Sequence, residues 1–188
     1  CGRYQLLDDG TIEYTFECIP RAKAYRHDYI GLFWASYIHA PAERAIFFKG
    51  RNAGTDSAAR WIRGVTPKHG TDSTHRPAGV AALPPVDGDF PLTLVSHPSD
   101  FEYTESWYYG VSNGMAFVQM FRPADHIWMA QSPTGGGITN PAWDFQWFIP
   151  QPQIGKAYGF VMRAAYVPFE SRNQLIKATA VHRDRLTE

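Results

Sequence analysis

Cysteine is almost missing from this chain of 188 residues, which has only Cys1 and Cys18. Two cysteines cannot build the disulfide framework of a small secreted module. Cys18 sits in the apolar run Tyr14-Thr-Phe-Glu-Cys-Ile and reads as a buried thiol, with a Cys1–Cys18 bridge as the alternative. An excess of either charge is also missing: Lys plus Arg and Asp plus Glu number 18 each. With no long basic run, nucleic acid is not expected as a partner. No apolar run approaches the roughly 18 residues of a membrane span. The expectation is a soluble protein, periplasmic or secreted. The chain opens on Cys1-Gly2 and not on Met. One reading is a lipid-bearing first cysteine. The preferred reading is a trimmed chain or a fragment of a longer protein, because Arg3-Tyr-Gln-Leu-Leu leads at once into strand-like sequence and leaves no polar tether.

Aromatic residues are plentiful, at 15% of the chain, with six Trp and ten Tyr. They fit either a thick sheet core or stacking surfaces for sugars. Thr11–Ile19 alternates apolar and polar residues, as a half-buried strand does. Tyr29–His39 is long, aromatic and β-branched, and predicts a long central strand. Short strands are expected at Ala45–Lys49, Arg60–Val65 and Leu92–Val95, and longer ones at Phe101–Gly110 and Lys156–Val167. Between Gly114 and Pro150 three more runs are separated by loops rich in Gly, Pro, Asp and Asn. Residues 50–89 are rich in Gly, Pro, Ser, Thr and Asp, and a long irregular segment of that kind is often functional. Ser171 with Gln174 forms a capping box at the start of the one helix, whose charged end HRDRLTE is expected to fray. The sum is an all-β class: one antiparallel β-sandwich domain over residues 1–188, with about 8–10 strands and a C-terminal helix.

Alternation also sorts the candidate site. In Ala142–Ile149 the odd residues Trp143, Phe145, Trp147 and Ile149 share one face, which reads as core. Asp144 and Gln146 then point together to the other. Gln119 is either a hydrogen-bonded core amide or part of a mixed face. Tyr109, Gln131, Asp144, Gln146 and Arg163 are the ligand-binding candidates, since amide, carboxylate and guanidinium groups beside aromatic rings suit sugar hydroxyls. The bland alternative is a solvated outer face. The run Lys68-His69-Gly70-Thr71-Asp72-Ser73-Thr74-His75 places two histidines around an aspartate. Its spacing matches no standard zinc signature, so neither a metal nor a cofactor is expected. His69, His75 and His97 are the acid/base candidates, being histidines in a loop or at a strand end. His39, Glu102, Glu105 and Tyr108 could join them. His27, His126 and His182 read as exposed. The loop Ser132-Pro-Thr-Gly-Gly-Gly has no following Lys and is no phosphate loop. Ser36 and Ser132 lack a nucleophile-elbow context.

The order of long aromatic strands, the His69-Gly70 loop, the run Leu94-Val-Ser-His97 and late strands carrying Asp144 resembles the galactose-mutarotase-like β-sandwich. That fold serves aldose epimerases, several glycoside hydrolases and polysaccharide lyases. The resemblance touches about a third of the chain. The chain is short for a full member, and no general-base Glu can be placed. Parts also resemble bacterial proteins without an assigned role. The resemblance implies a carbohydrate partner and proton transfer by His. The alternatives are a non-catalytic carbohydrate-binding module and a structural or partner-binding domain.

Overall fold

The computed structural model describes residues 1–25, 28–68, 71–80, 97–133 and 139–188. Its strands are β1 (Gly2–Leu6), β2 (Ile12–Cys18), β3 (Tyr29–Trp34), β4 (Ile46–Asn52), β5 (Arg60–Gly64), β6 (Thr74–Pro77), β7 (Pro98–Ser112), β8 (Met115–Phe121), β9 (Trp128–Ser132), β10 (Ala142–Pro150) and β11 (Tyr158–Pro168). One helix, α1 (Arg172–Arg185), ends the chain. No helix among the described residues is long and apolar enough to cross a membrane.

The strands join in one hydrogen-bonded sheet with the order β1-β2-β11-β8-β7-β6-β9-β10-β3. β4 pairs with β7, and β5 with β4. The expected all-β class with a C-terminal helix is observed, but the antiparallel sandwich is replaced by one mixed, curled sheet. The pair β6–β7 is parallel. A parallel pair needs a crossover of about a dozen residues or more, and the connection through residues 78–97 supplies it. The curl brings the two ends of the sheet together: Trp34 of β3 lies 5.2 Å from Tyr14 of β2 and 6.2 Å from Tyr4 of β1, ring centre to ring centre.

Period-two alternation sends successive side chains to opposite faces, and both faces of the sheet are used. The concave face holds Tyr14, Phe121, Met129, Phe145, Trp147, Phe160 and Met162 in one apolar cluster. The convex face of β7, β8 and β11 holds Trp107, Tyr109, Val118, Met120 and Ala165, covered by Leu175 and Leu186 from the helix region. Ser171 caps α1, accepting from the Gln174 amide at 3.2 Å. The reciprocal half of the expected capping box is not made, since Gln174 Oε1 is buried with no partner.

The helix end does not fray. Leu175, Thr179 and His182 form its buried stripe. His182 is 6% exposed, which corrects the exposed reading. Its Nε2 meets Asp9 Oδ2 at 2.6 Å and its Nδ1 faces Arg163 NH1 at 3.3 Å. A guanidinium only donates, so Nδ1 is the acceptor and Nε2 carries the proton. Arg163 in turn holds Glu13 through Nε and NH2, at 2.9 and 2.7 Å. The chain of contacts ties α1 to β11 and the β1–β2 hairpin. The hydrogen bond from the Thr11 amide is the largest influence lowering the Asp9 pKa, with contacts to His182 also lowering it.

Gly110 shows how tightly the concave face is filled. A Cβ added there would stand 2.5 Å from two atoms of the Trp143 ring. That ring is anchored by its Nε1 donating to the Arg44 carbonyl at 3.1 Å. Overpacking of this kind costs about 1–3 kcal/mol. Gly110→Ala is therefore expected to lower the unfolding free energy measured in urea by that amount, and an unchanged value would show that the ring is free to retreat.

Candidate functional site

β10 is the element that organises the candidate residues. It pairs with β9, setting Trp143 opposite Gln131, Asp144 opposite Ala130, and Gln146 opposite Trp128. On its other edge Gln146 stands opposite Phe33 of β3. Trp143, Phe145, Trp147 and Ile149 all belong to the concave cluster, so Asp144 and Gln146 project from the opposite face. They are not solvated there: Asp144 is 1% exposed and Gln146 3%.

Asp144 interrupts the β3–β10 ladder. The Trp143 amide donates to the Ser36 carbonyl at 2.9 Å, but the Ser36 amide turns to Asp144 Oδ1 at 2.8 Å. The Trp143 carbonyl accepts instead from Gln119 Nε2 at 3.3 Å. Ser36 Oγ accepts from Gln119 Nε2 and from Trp34 Nε1, at 3.2 and 3.0 Å. Four residues from three strands and one loop thus replace one ladder bond. This explains why the expected long central strand Tyr29–His39 ends at Trp34. Among the described residues it pairs with β10 alone and continues as a single bridge between Tyr37 and Ala142. Gln119 is the hydrogen-bonded core amide of the two readings, while Ser36 carried no signal, because its partners lie far away in sequence.

The site keeps unspent hydrogen-bonding capacity. Gln146 Nε2 is buried without a partner on this face, as is Gln119 Oε1 on the concave side. Burial pushes the Asp144 carboxyl up to about 7, against the pull of the Ser36 amide.

His75 does not lie on this face. His69, with Gly70, lies outside the described residues, as do His27, the Leu92–Val95 strand and the glycines 135–137. His75 is paired with Met129, which puts it on the concave face, against Phe48 at 4.5 Å. It is 1% exposed. Its Nδ1 meets Ser99 Oγ at 2.6 Å, and Ser99 gives its own proton to the Phe101 carbonyl. The imidazole proton is therefore on Nδ1, and Nε2 is left buried without a partner. Burial depresses the His75 pKa to about 3. The His97 carbonyl accepts from the Ser73 and Thr74 amides, at 3.1 and 3.2 Å. Among the described residues the histidine–carboxylate hydrogen bond is His182 to Asp9, and no group of three His, Cys, Asp or Glu could hold a metal.

The other ligand candidates are also dispersed. Tyr109 lies under α1, its hydroxyl accepting from Arg172 Nε at 3.1 Å. Arg163 is committed to Glu13 and His182. Gln131 clamps the end of β5. Its oxygen accepts from the Val65 and Thr66 amides at 3.2 and 3.0 Å, and its nitrogen donates to the Gly64 carbonyl at 3.2 Å.

His75 and Asp144 have opposite effects on acid stability. The folded His75 pKa lies below the unfolded value of 6.5, so its contribution is full above pH 6.5 and is lost as pH falls toward 3. The folded Asp144 pKa lies above the unfolded value of 3.8, so its contribution is full below pH 3.8 and is lost as pH rises toward 7. Between about pH 4 and 6.5 the two slopes, each about 1.4 kcal/mol per pH unit at most, cancel. Asp144→Asn removes one of them. Urea unfolding at pH 4.5, 5.5 and 6.5 should show the variant losing stability on acidification more steeply than the parent, and parallel profiles would refute the pairing. No family model, curated protein or solved structure matches this chain.

Proposed function

We propose that this protein binds carbohydrate on the face of β10 that carries Asp144 and Gln146. The observation behind the reading is the unspent polar capacity of that face. A buried amide nitrogen has no acceptor, and a neighbouring carboxyl with a raised pKa accepts one hydrogen bond, from Ser36. An unsatisfied buried polar group costs about 1–3 kcal/mol, and ligand hydroxyls, which donate and accept at once, would offset that. Buried Trp128 and exposed Phe33 flank Gln146 in the same row, and the Phe33 ring gives apolar surface beside the polar pair, as sugar sites need. The galactose-mutarotase-like resemblance is the reason for choosing sugars among polyhydroxylated ligands. Binding is preferred over histidine-driven proton transfer. His75 is sealed in the core, and the carboxylate that meets a histidine is at α1.

A second reading has its own observation. Asp144, Ser36 and Gln119 together terminate β3, which fits a structural clamp in a partner-binding domain. The two readings separate on one comparison. Glycan-array screening of the parent should find at least one retained glycan. Gln146→Ala, which leaves the clamp intact, should then weaken it about tenfold, or about 1.4 kcal/mol, with little change in the urea midpoint. Retention of no glycan removes the carbohydrate proposal and leaves the clamp. Retention that Gln146→Ala does not alter moves the site elsewhere.

A further inference from the structure

β7 leaves part of its backbone without ladder partners. On one edge its residues up to Tyr103 pair with β6, and those from Trp107 onward pair with β8. On the other edge the register with β4 jumps between Phe48–Tyr108 and Gly50–Tyr103. Thr104, Glu105 and Ser106 therefore fall in a gap on both sides. Bulges of this kind gather beside functional sites. A cleft of about 260 Å³ opens here, between the bulge, the 3₁₀ turn Pro123–Asp125 and the end of α1.

The cleft is lined by charged groups of both signs and by ring surface. Glu105 is held in place, its Oε2 accepting from Trp107 Nε1 at 2.9 Å. Arg183 lies over the Trp107 ring at 4.8 Å and donates NH2 to the Ile176 carbonyl at 2.9 Å. Its Nε is buried with no partner. Its NH1 stands 3.9 Å from Glu105 Oε2, too far for a direct hydrogen bond. A hydroxyl bridges such a gap, donating to the carboxylate and accepting from the guanidinium. Asp184 and Thr187 from the helix end and Phe121 from β8 complete the wall.

We propose that this cleft is a binding site for one hexose-sized sugar unit, neutral or amino-bearing but not acidic. The proposal rests on the carbohydrate reading above and adds a second place where it operates. The volume suits a single ring. The alternation of acceptor, donor and apolar wall suits a polyol. Two carboxylates against one guanidinium, beside the negative pole of a helix C-terminus, disfavour a uronate.

Nitrogen-15 spectra of the full chain test it, with methyl glucoside, glucosamine and glucuronate as probes. Trp107→Phe assigns the Trp107 indole resonance. That resonance should shift in saturable fashion with methyl glucoside and glucosamine, and glucuronate should bind at least tenfold more weakly. Glu105→Gln, an exposed position that retains an oxygen for the indole, should weaken both active sugars about tenfold while leaving the unfolding midpoint near that of the parent. Gln146→Ala should leave the Trp107 response unchanged. An unmoved indole with all three sugars overturns the cleft. If arrays still show glycan binding that Gln146→Ala removes, the β10 reading survives the loss of the cleft. If nothing binds on the arrays either, both fall together. Equal binding of glucuronate overturns the charge argument and, with it, the ligand class.

Discussion

An extended strand has two edges, and this fold asks β7 to serve three partners. β4 occupies one edge, while β6 and β8 divide the other. The division works because β7 runs for fifteen residues, long enough for two short strands to dock in succession. It also dictates the rest of the sheet. From β8 the order continues through β11 to the β1–β2 hairpin, and from β6 it continues through β9 and β10 to β3. Two arms that leave the same edge of one strand must diverge there, and the curl carries their ends back toward each other, where Tyr14 meets Trp34. The concave aromatic core fills the space so enclosed.

The same constraint accounts for polar residues in unusual places. Where an arm ends, ladder bonds run out, and side chains take over the backbone groups that remain. At β3 this is done by Asp144 and Gln119 around Ser36. At the end of β5 it is done by Gln131. At the β1–β2 turn Asp9 takes up the Thr11 amide, and the side-chain row Glu13–Arg163–His182–Asp9 seats α1. Buried backbone groups must be paired, and Asp144, Gln119 and Gln131 each have such a duty. What separates Gln146 from Gln131 is not type or burial but completeness: Gln131 spends both ends of its amide, while Gln146 Nε2 spends nothing. That difference carries the choice of ligand face.

Much of the fold was legible because period-two patterning is a local property. The odd face of β10, the strands β2, β4, β5 and β11, and the Ser171 cap all follow from neighbours in sequence. Three things were not legible. The parallel pairing of β6 depends on which edge of β7 is free. The end of β3 depends on a carboxylate 108 residues away. The buried stripe of α1 contains His182, a polar residue whose burial depends on partners in the β1–β2 turn and β11. Alternation told which face Asp144 points to, but not that its side chain is buried there. For the same reason His75 read as a loop acid/base candidate when it is a core residue of β6.

Face and burial are separate pieces of information, and the two proposed ligand regions illustrate the consequence. Asp144 and Gln146 were found from sequence because a polar pair stands out in an aromatic strand. The Glu105–Arg183 cleft was not, because its members come from a strand and a helix far apart in sequence, in contexts where charge is ordinary. Its distinguishing feature is a distance: two charged groups set 3.9 Å apart, each in contact with the same Trp107, beside a break in strand register. A surface ion pair free to close would shorten to hydrogen-bonding range. The indole engages the carboxylate at its edge and the guanidinium at its face, and the proposed hydroxyl would sit between them.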